Sequence, residues 1–141
     1  MKTRAAVLSE IGRPGPYADT QPLAIEELEL DPPGEGEVLI DIKAAGLCHS
    51  DLSVIDGNRP RPVPMALGHE AAGVVRQLGP GVHDLGAGDH VVAVFVPSCG
   101  HCPPCAEGRP ALCEPGGNAN NDGTLINGGR RLRRADGSPV N

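Results

Sequence analysis

Runs and alternations of apolar residues along the chain predict a body made mainly of β-strands. Five segments carry this pattern: residues 4–8, 23–30, 37–45, 68–78 and 89–96. The second segment ends in polar and apolar alternation, which is typical of a strand with one face in water. The fifth segment is almost continuously apolar, so we expect both of its faces to be covered.

Helical signals are weaker, and the C-terminal part of the chain is irregular. Residues 50–55 predict one or two helical turns, with Ser50 as the N-cap and Gly57 just beyond the end. Residues 118–141 are polar and Gly-rich and lack apolar periodicity, so we expect no closing element there. This pattern favours an interrupted chain over a finished one.

Composition supports a β-rich body and excludes several classes of protein. The 141 residues include 20 Gly and 15 Pro, which favour many turns over a helical bundle. The formal net charge is −6, with one Phe, one Tyr and no Trp, so a basic face and a stacking platform for nucleic acid are both missing. No apolar run reaches the ~18 residues of a membrane-spanning helix, and the N-terminal apolar stretch is too short for a secretory signal. We expect neither a nucleic-acid nor a membrane partner.

Four of the five cysteines lie in one short segment, the zinc lobe, which we predict over residues 98–114. Cys99, Cys102, Cys105 and Cys113 follow the spacing C-x2-C-x2-C-x7-C. Four thiolates can surround one zinc ion tetrahedrally, and such a filled site is structural. Two alternatives stay open, a pair of disulfides and a four-iron cluster, although the ferredoxin run continues with a shorter gap.

Cys48, His69 and Glu70 form a second candidate metal centre outside the lobe. Cys48 follows one predicted strand, and His69 with Glu70 begins another, so these strand ends can converge at one edge. A zinc ion held by three protein ligands keeps a fourth position open, which is the catalytic arrangement. On these residues alone the signal is weak, because a buried cysteine usually acts as a small hydrophobic residue.

Several motifs together resemble one family, the zinc-dependent alcohol dehydrogenases of the medium-chain dehydrogenase/reductase superfamily. They are residues 46–51 (GLCHSD), residues 68–73 (GHEAAG), residues 88–91 (GDHV) and the four-cysteine lobe. The resemblance runs from the first strand to at least Cys113. It implies a GroES-like, partly open barrel with short helices, in which residues 1–141 form a truncated N-terminal catalytic domain.

The resemblance also implies roles for individual residues around the second centre. Cys48 and His69 are similar to two of the three ligands of the catalytic zinc, and Glu70 to the family's acidic neighbour of that metal. Asp51 resembles the carboxylate that orients the zinc-binding histidine. Ser50 matches the Ser or Thr that accepts the alcohol proton.

Two further positions follow from the same resemblance. His49 occupies the place where the family has Arg or His near the cofactor pyrophosphate. Phe95 aligns with an aromatic residue that lines the substrate pocket, and an ordinary core position is the alternative.

The sequence departs from the family pattern in three respects. Ser53 stands where many members have a relay histidine, no Cys follows Cys113 as a third zinc ligand, and no G-x-G-x-x-G motif follows a strand. We expect the full-length protein to oxidise an alcohol, or reduce an aldehyde or ketone, with NAD or NADP, and the 141 residues alone to be inactive. The resemblance also implies a cytoplasmic homo-oligomer.

Two hypotheses of other classes remain beside the enzyme. The chain could be a stand-alone zinc-binding structural or interaction module, or a small iron–sulfur electron carrier. For the remaining polar residues we expect ordinary roles: His83, His90 and His101 at the surface, and the arginines of residues 130–134 in a solvated hairpin or on a surface that meets the rest of the protein. The resemblance places Arg59 and Arg61 beside the pocket, where we expect a solvated loop, with preference for an anionic substrate as the alternative.

Overall fold

The computed structural model describes residues 1–141 and contains two antiparallel sheets with four short helices. The elements in chain order are β1 (Lys2–Leu8), α1 (Tyr17–Thr20), β2 (Leu23–Leu30), β3 (Val38–Gly46), α2 (His49–Ile55), β4 (Met65–Leu67), β5 (Glu70–Leu78), β6 (His90–Val92), α3 (Pro103–Ala106), α4 (Glu114–Asp122), β7 (Leu132–Arg133) and β8 (Pro139–Val140). A 3-10 turn at Pro110–Leu112 follows α3. None of the helices has the length and apolar character that a membrane crossing requires.

The larger sheet forms the body of the domain, and the smaller sheet carries the strand ends of the candidate site. The larger sheet has the order β4-β1-β2-β7-β8, and the smaller has the order β3-β5-β6. β3 and β5 pair from Val38 with Leu78 to Gly46 with Glu70. This register brings the end of β3 next to the beginning of β5, as the sequence predicts for the second metal centre.

The core consists of two small clusters on opposite sides of β1. Successive side chains of a strand point to opposite faces, and Val7 and Leu8 therefore contribute to different clusters. Val7 packs with Leu28 and Val140, whereas Leu8 packs with Val54 and Ile55 of α2. The second cluster fixes α2, and hence the residues at its N-terminus, against the larger sheet.

The predicted N-cap of α2 and the predicted fifth strand are wrong, whereas the other predicted strands differ from the observed ones by no more than two residues. α2 begins at His49 with Cys48 as its N-cap, because the Asp51 carboxylate accepts the backbone N–H of Cys48. The predicted strand at 89–96 shrinks to β6, and its side chains are not covered: Val92 and Val94 are each 78% exposed. After Ala93, whose N–H still donates to Ala71, the chain leaves β5 and runs towards the cysteine lobe.

The expectation of no closing element after residue 118 is also wrong. Residues 114–122 form α4 despite two Gly and three Asn, because the Cys113 sulfur accepts the Gly116 N–H at its first turn. A Cβ at Gly116 would collide with the carbonyl oxygen of Pro97, so glycine permits this close contact. β7 and β8 then form a hairpin that extends the larger sheet and places Val140 in the core.

Candidate metal centres and adjoining cavity

The register of the smaller sheet brings Cys48, His69 and Glu70 together. Their metal-binding atoms all lie within 4.8 Å of one another. Cys48 lies just beyond β3, His69 lies between β4 and β5, and Glu70 begins β5 opposite Gly46. A Cβ at Gly46 would lie 2.9 Å from the Glu70 Oε2 atom, so the glycine leaves room for this carboxylate over the strand end.

Asp51 connects two of these residues from the first turn of α2. It is the one charged side chain in the buried set, with 4% of its surface exposed. Its Oδ2 atom accepts the Cys48 N–H at 3.0 Å, and its Oδ1 atom lies 3.1 Å from His69 Nδ1. A carboxylate can only accept, so this contact favours the tautomer with hydrogen on Nδ1 and leaves the Nε2 lone pair free for a metal.

Ser50 and Phe95 line a cavity of about 240 Å³ next to His69. The Ser50 hydroxyl lies 3.5 Å from the Cys48 sulfur. The Phe95 ring is 5.9 Å from the His69 ring between centroids and is tilted by 59°. Phe95 is 50% exposed, so the alternative of an ordinary core position is wrong. His49, at the start of α2, is exposed and does not line this cavity.

The loop after α2 contributes two arginines to the same cavity. Arg59 is exposed, whereas Arg61 is half-buried and its Nη2 atom donates to Asn120 of α4 at 3.4 Å. A fully solvated loop is therefore the wrong interpretation for Arg61. Asn120 and Asn141 also line the cavity, and the sequence analysis missed both because they lie in elements without an apolar pattern.

The lobe brings the four remaining cysteines together. Their sulfurs lie within 4.8 Å of one another, and none of the five cysteines forms a disulfide. The Cys102 sulfur is 3.4 Å from that of Cys105 and 3.9 Å from that of Cys113. Tetrahedral zinc with bonds of ~2.3 Å separates its sulfurs by about 3.8 Å, so these distances fit a zinc ion.

Backbone donors in the lobe are directed at the sulfurs. The N–H groups of Cys99 and Gly116 donate to the Cys113 sulfur at 3.2 and 3.3 Å, and that of Cys102 donates to the Cys99 sulfur at 3.3 Å. Backbone hydrogen bonds from His101 and Cys102 lower the pKa of Cys99 to about 6, and such donors favour the thiolate, which is the form that binds metal. Burial, and then hydrogen bonding with Cys102, raise the pKa of Cys105 to about 11. His101, as expected, is exposed, and so are His83 and His90.

The two sheets, the protruding cysteine lobe and the strand-end centre define a GroES-like domain of the dehydrogenase type. Residues 34–131 match the family described as alcohol dehydrogenase GroES-like domain, and the chain belongs to that family. The predicted mainly β, GroES-like fold and the resemblance to zinc-dependent alcohol dehydrogenases are both confirmed.

Individual relatives agree with this assignment. An NDMA-dependent alcohol dehydrogenase from Amycolatopsis methanolica is 50% identical over 95% of this chain and 34% of its own length. The crystal structure of an alcohol dehydrogenase zinc-binding domain protein from Burkholderia ambifaria has a TM-score of 0.86 and 41% identity, over 99% of this chain and 35% of that one. The crystal structure of benzyl alcohol dehydrogenase from Acinetobacter calcoaceticus has a TM-score of 0.79 and 34% identity, over 94% of this chain and 34% of that one. The chain thus spans about a third of the length of these relatives.

Proposed function

We propose that this chain supplies the zinc and substrate sites of an NAD(P)-dependent alcohol dehydrogenase that interconverts an alcohol with an aldehyde or ketone. The observation that carries the proposal is the convergence of Cys48, His69 and Glu70 within 4.8 Å beside a cavity lined by Ser50 and Phe95. This donor set leaves a fourth tetrahedral position for a substrate oxygen.

The residues at this centre fit a catalytic zinc ion. One sulfur, one imidazole nitrogen and one carboxylate are ligands that zinc takes readily, and Asp51 holds the imidazole in the tautomer that coordination needs. When bound, zinc supplies a Lewis acid that polarises the substrate oxygen and favours loss of its proton.

The side chains around the centre then have defined tasks. Ser50 accepts the proton of the substrate hydroxyl, and Phe95 covers the apolar part of the substrate next to His69. The Ser53 hydroxyl donates to the His49 carbonyl oxygen at 3.2 Å and does not line the cavity. Ser53 therefore does not replace the relay histidine of the family, and the proton that Ser50 accepts must leave by another path. His49 is assigned to the cofactor pyrophosphate.

The lobe has a different task. Its four sulfurs fill a tetrahedral site, so a zinc ion there would have no open position and would stabilise the structure only. NAD or NADP as the hydride acceptor, a small alcohol or aldehyde as substrate, homo-oligomeric assembly and a cytoplasmic location complete the proposal. They rest on the family resemblance.

Metal content and turnover, measured on the complete protein, test the proposal together. We expect zinc at both cysteine-containing centres and alcohol-dependent reduction of NAD or NADP. His69→Ala should remove the zinc of one centre and reduce kcat/KM at least about a thousandfold, because the polarising ion is lost. His83→Ala, at an exposed histidine outside both centres, is the matched control.

Three results would contradict the proposal. Zinc at both centres without any alcohol-dependent turnover would favour a structural or interaction module. Bound iron in a brown protein that absorbs visible light would favour the electron carrier. Full activity of His69→Ala would remove the assigned centre from the reaction.

A further inference from the structure

Two arginines line the cavity beside the Cys48–His69–Glu70 centre without a carboxylate partner. Neither Arg59 nor Arg61 takes part in any ion pair of the structure. The Arg61 guanidinium donates only to neutral oxygens, the Pro60 carbonyl at 3.2 Å and the Asn120 side chain at 3.4 Å. The half-buried Arg131 and Arg134, in contrast, each bind a glutamate through two hydrogen bonds.

Neither arginine forms an ion pair with the one acidic residue of the cavity lining. Asp51 is the acidic residue in the cavity lining, and its two oxygens already accept from Cys48 and approach His69. Burial, and then the positive charge of Arg59, lower the pKa of Arg61. Partial burial and the charge of Arg59 make the Arg61 guanidinium less stable than one in water, and an anion bound next to it would lower its free energy.

The loop that carries the two arginines is held in place before any ligand binds. The Arg59 N–H donates to the Ser53 carbonyl at 2.7 Å. The Asn141 side chain donates to the carbonyl oxygens of Pro62 at 3.2 Å and Pro64 at 3.0 Å. Little backbone entropy then remains to be lost when a ligand binds, and the cost of ordering falls mainly on the arginine side chains.

We propose that the natural substrate carries an anionic group, a carboxylate or a phosphate, that Arg59 and Arg61 bind while its alcohol or aldehyde end lies at the Cys48–His69–Glu70 centre. This inference rests on the proposed dehydrogenase function and names its substrate class. Guanidinium groups match both oxyanions through paired hydrogen bonds. The cavity is small, at about 240 Å³, which suits a short molecule with its two functional ends close together.

Substrate preference in the complete zinc-loaded enzyme is the first test. The substrates are a short ω-hydroxy carboxylate, its methyl ester, and the phosphate monoester of a diol of the same length. We expect the wild type to prefer an anionic substrate over the ester by about tenfold or more in kcat/KM, mainly through KM. Comparison of the hydroxy carboxylate with the phosphate monoester shows which of the two anionic groups the arginines bind.

Three variants assign the preference to the arginines. Arg61→Gln and Arg59→Gln should each remove most of the preference, and Arg59→Gln removes no ion pair of the structure. Arg4→Gln changes an exposed arginine outside the cavity and should leave the preference intact. A preference that survives in both cavity variants as it does in Arg4→Gln would overturn the inference.

A binding measurement separates this inference from the dehydrogenase proposal. Calorimetry compares an unreactive short carboxylate with its amide in the wild type, Arg61→Gln and Arg61→Lys. The variant comparison matters because a carboxylate can also bind zinc directly. We expect about tenfold weaker carboxylate binding in Arg61→Gln, with partial recovery in Arg61→Lys. Equal carboxylate affinity in the wild type and Arg61→Gln overturns the anionic substrate, whether or not alcohols are turned over. Arginine-dependent binding without turnover contradicts only the dehydrogenase.

Discussion

At the scale of single residues, Asp51 joins the fold to the candidate catalytic centre. Its buried carboxylate accepts the N–H that begins α2 and orients His69 through Nδ1. One side chain therefore fixes the positions of both Cys48 and His69. Replacing a residue that hydrogen-bonds a metal ligand in this way commonly changes the metal affinity of the site.

Asp51→Asn should weaken zinc binding at the Cys48–His69–Glu70 centre by about 10- to 100-fold. The amide keeps the size of the side chain but removes the charge that fixes the histidine tautomer. Competition with a chromogenic chelator measures this affinity, and the zinc of the lobe, which lacks contact with Asp51, serves as an internal reference. Ser53→Ala on the same helix is the matched control. An unchanged affinity would show that His69 is oriented by other contacts.

At the scale of elements, the C-terminal hairpin of β7 and β8 is attached to the body by ion pairs in addition to the apolar contacts of Val140. Arg131 binds Glu37, Arg133 binds Asp31 and Arg134 binds Glu26. The arginines of residues 130–134 do form a hairpin, as expected, but three of them are paired instead of simply solvated. Glu37 is the best connected of the acids, since Gly34 and Asn127 also donate to it.

The pairing of Glu37 makes attachment of the hairpin sensitive to acid. Hydrogen bonding from Arg131 lowers the pKa of Glu37 from 4.5 to about 2. A carboxylate whose pKa is lower in the folded state than in the unfolded chain stabilises the folded state at any pH above its pKa in the unfolded chain. This contribution is lost as the pH falls from about 4.5 to about 2.

Glu37→Gln should therefore destabilise the protein by about 1–2 kcal/mol at neutral pH, and the difference from wild type should vanish in acid. Hydrogen exchange of the β7 amides, recorded at several pH values, measures this difference in stability. Glu35→Gln, at an exposed neighbour, is the control. Since acid also removes metal from both proteins, only the difference between variant and wild type counts. A constant difference down to pH ~2 would disprove the assignment.

At the scale of the whole molecule, the apolar core is small for the length of the chain. Only 14 of 141 residues are buried, and the two main clusters contain three buried residues each. Domains with little buried apolar surface often depend on metals for stability. The cysteine lobe, whose Cys102 and Cys113 are among the buried residues, is the place where such support is available.

Removal of zinc by a strong chelator should lower the Tm by about 5 °C or more, because a ligand bound only to the folded state stabilises it. Cys105→Ser should show most of this loss before any chelator is added. Differential scanning calorimetry measures both, with Glu107→Gln, at an exposed lobe residue without a side-chain hydrogen bond, as the control. A Tm that does not respond to chelation would contradict a structural metal in the lobe.

The sequence was informative where chemistry depends on spacing, and less so where it depends on distant partners. The four-cysteine spacing was sufficient to predict the lobe, because a short segment constrains its own geometry. For the Cys48–His69–Glu70 centre the strand-end positions gave only a weak signal, and the family resemblance carried the prediction. The apolar run at 89–96 was misleading, because an apolar sequence indicates that a segment tends to be buried but does not say which surface buries it. Asn120 and Asn141 had no signal, because their roles arise only when α4 and β8 meet the loop of Arg61.

The opposite orientations of Val7 and Leu8 also bear on how the larger sheet finds its alignment during folding. A slip of β1 by one residue against β2 would place either Ala6 where Val7 packs or Ser9 where Leu8 packs. In both directions one cluster loses a large apolar side chain. The adjacent pair thus selects one pairing of a strand whose other residues, mostly small or charged, would accept several.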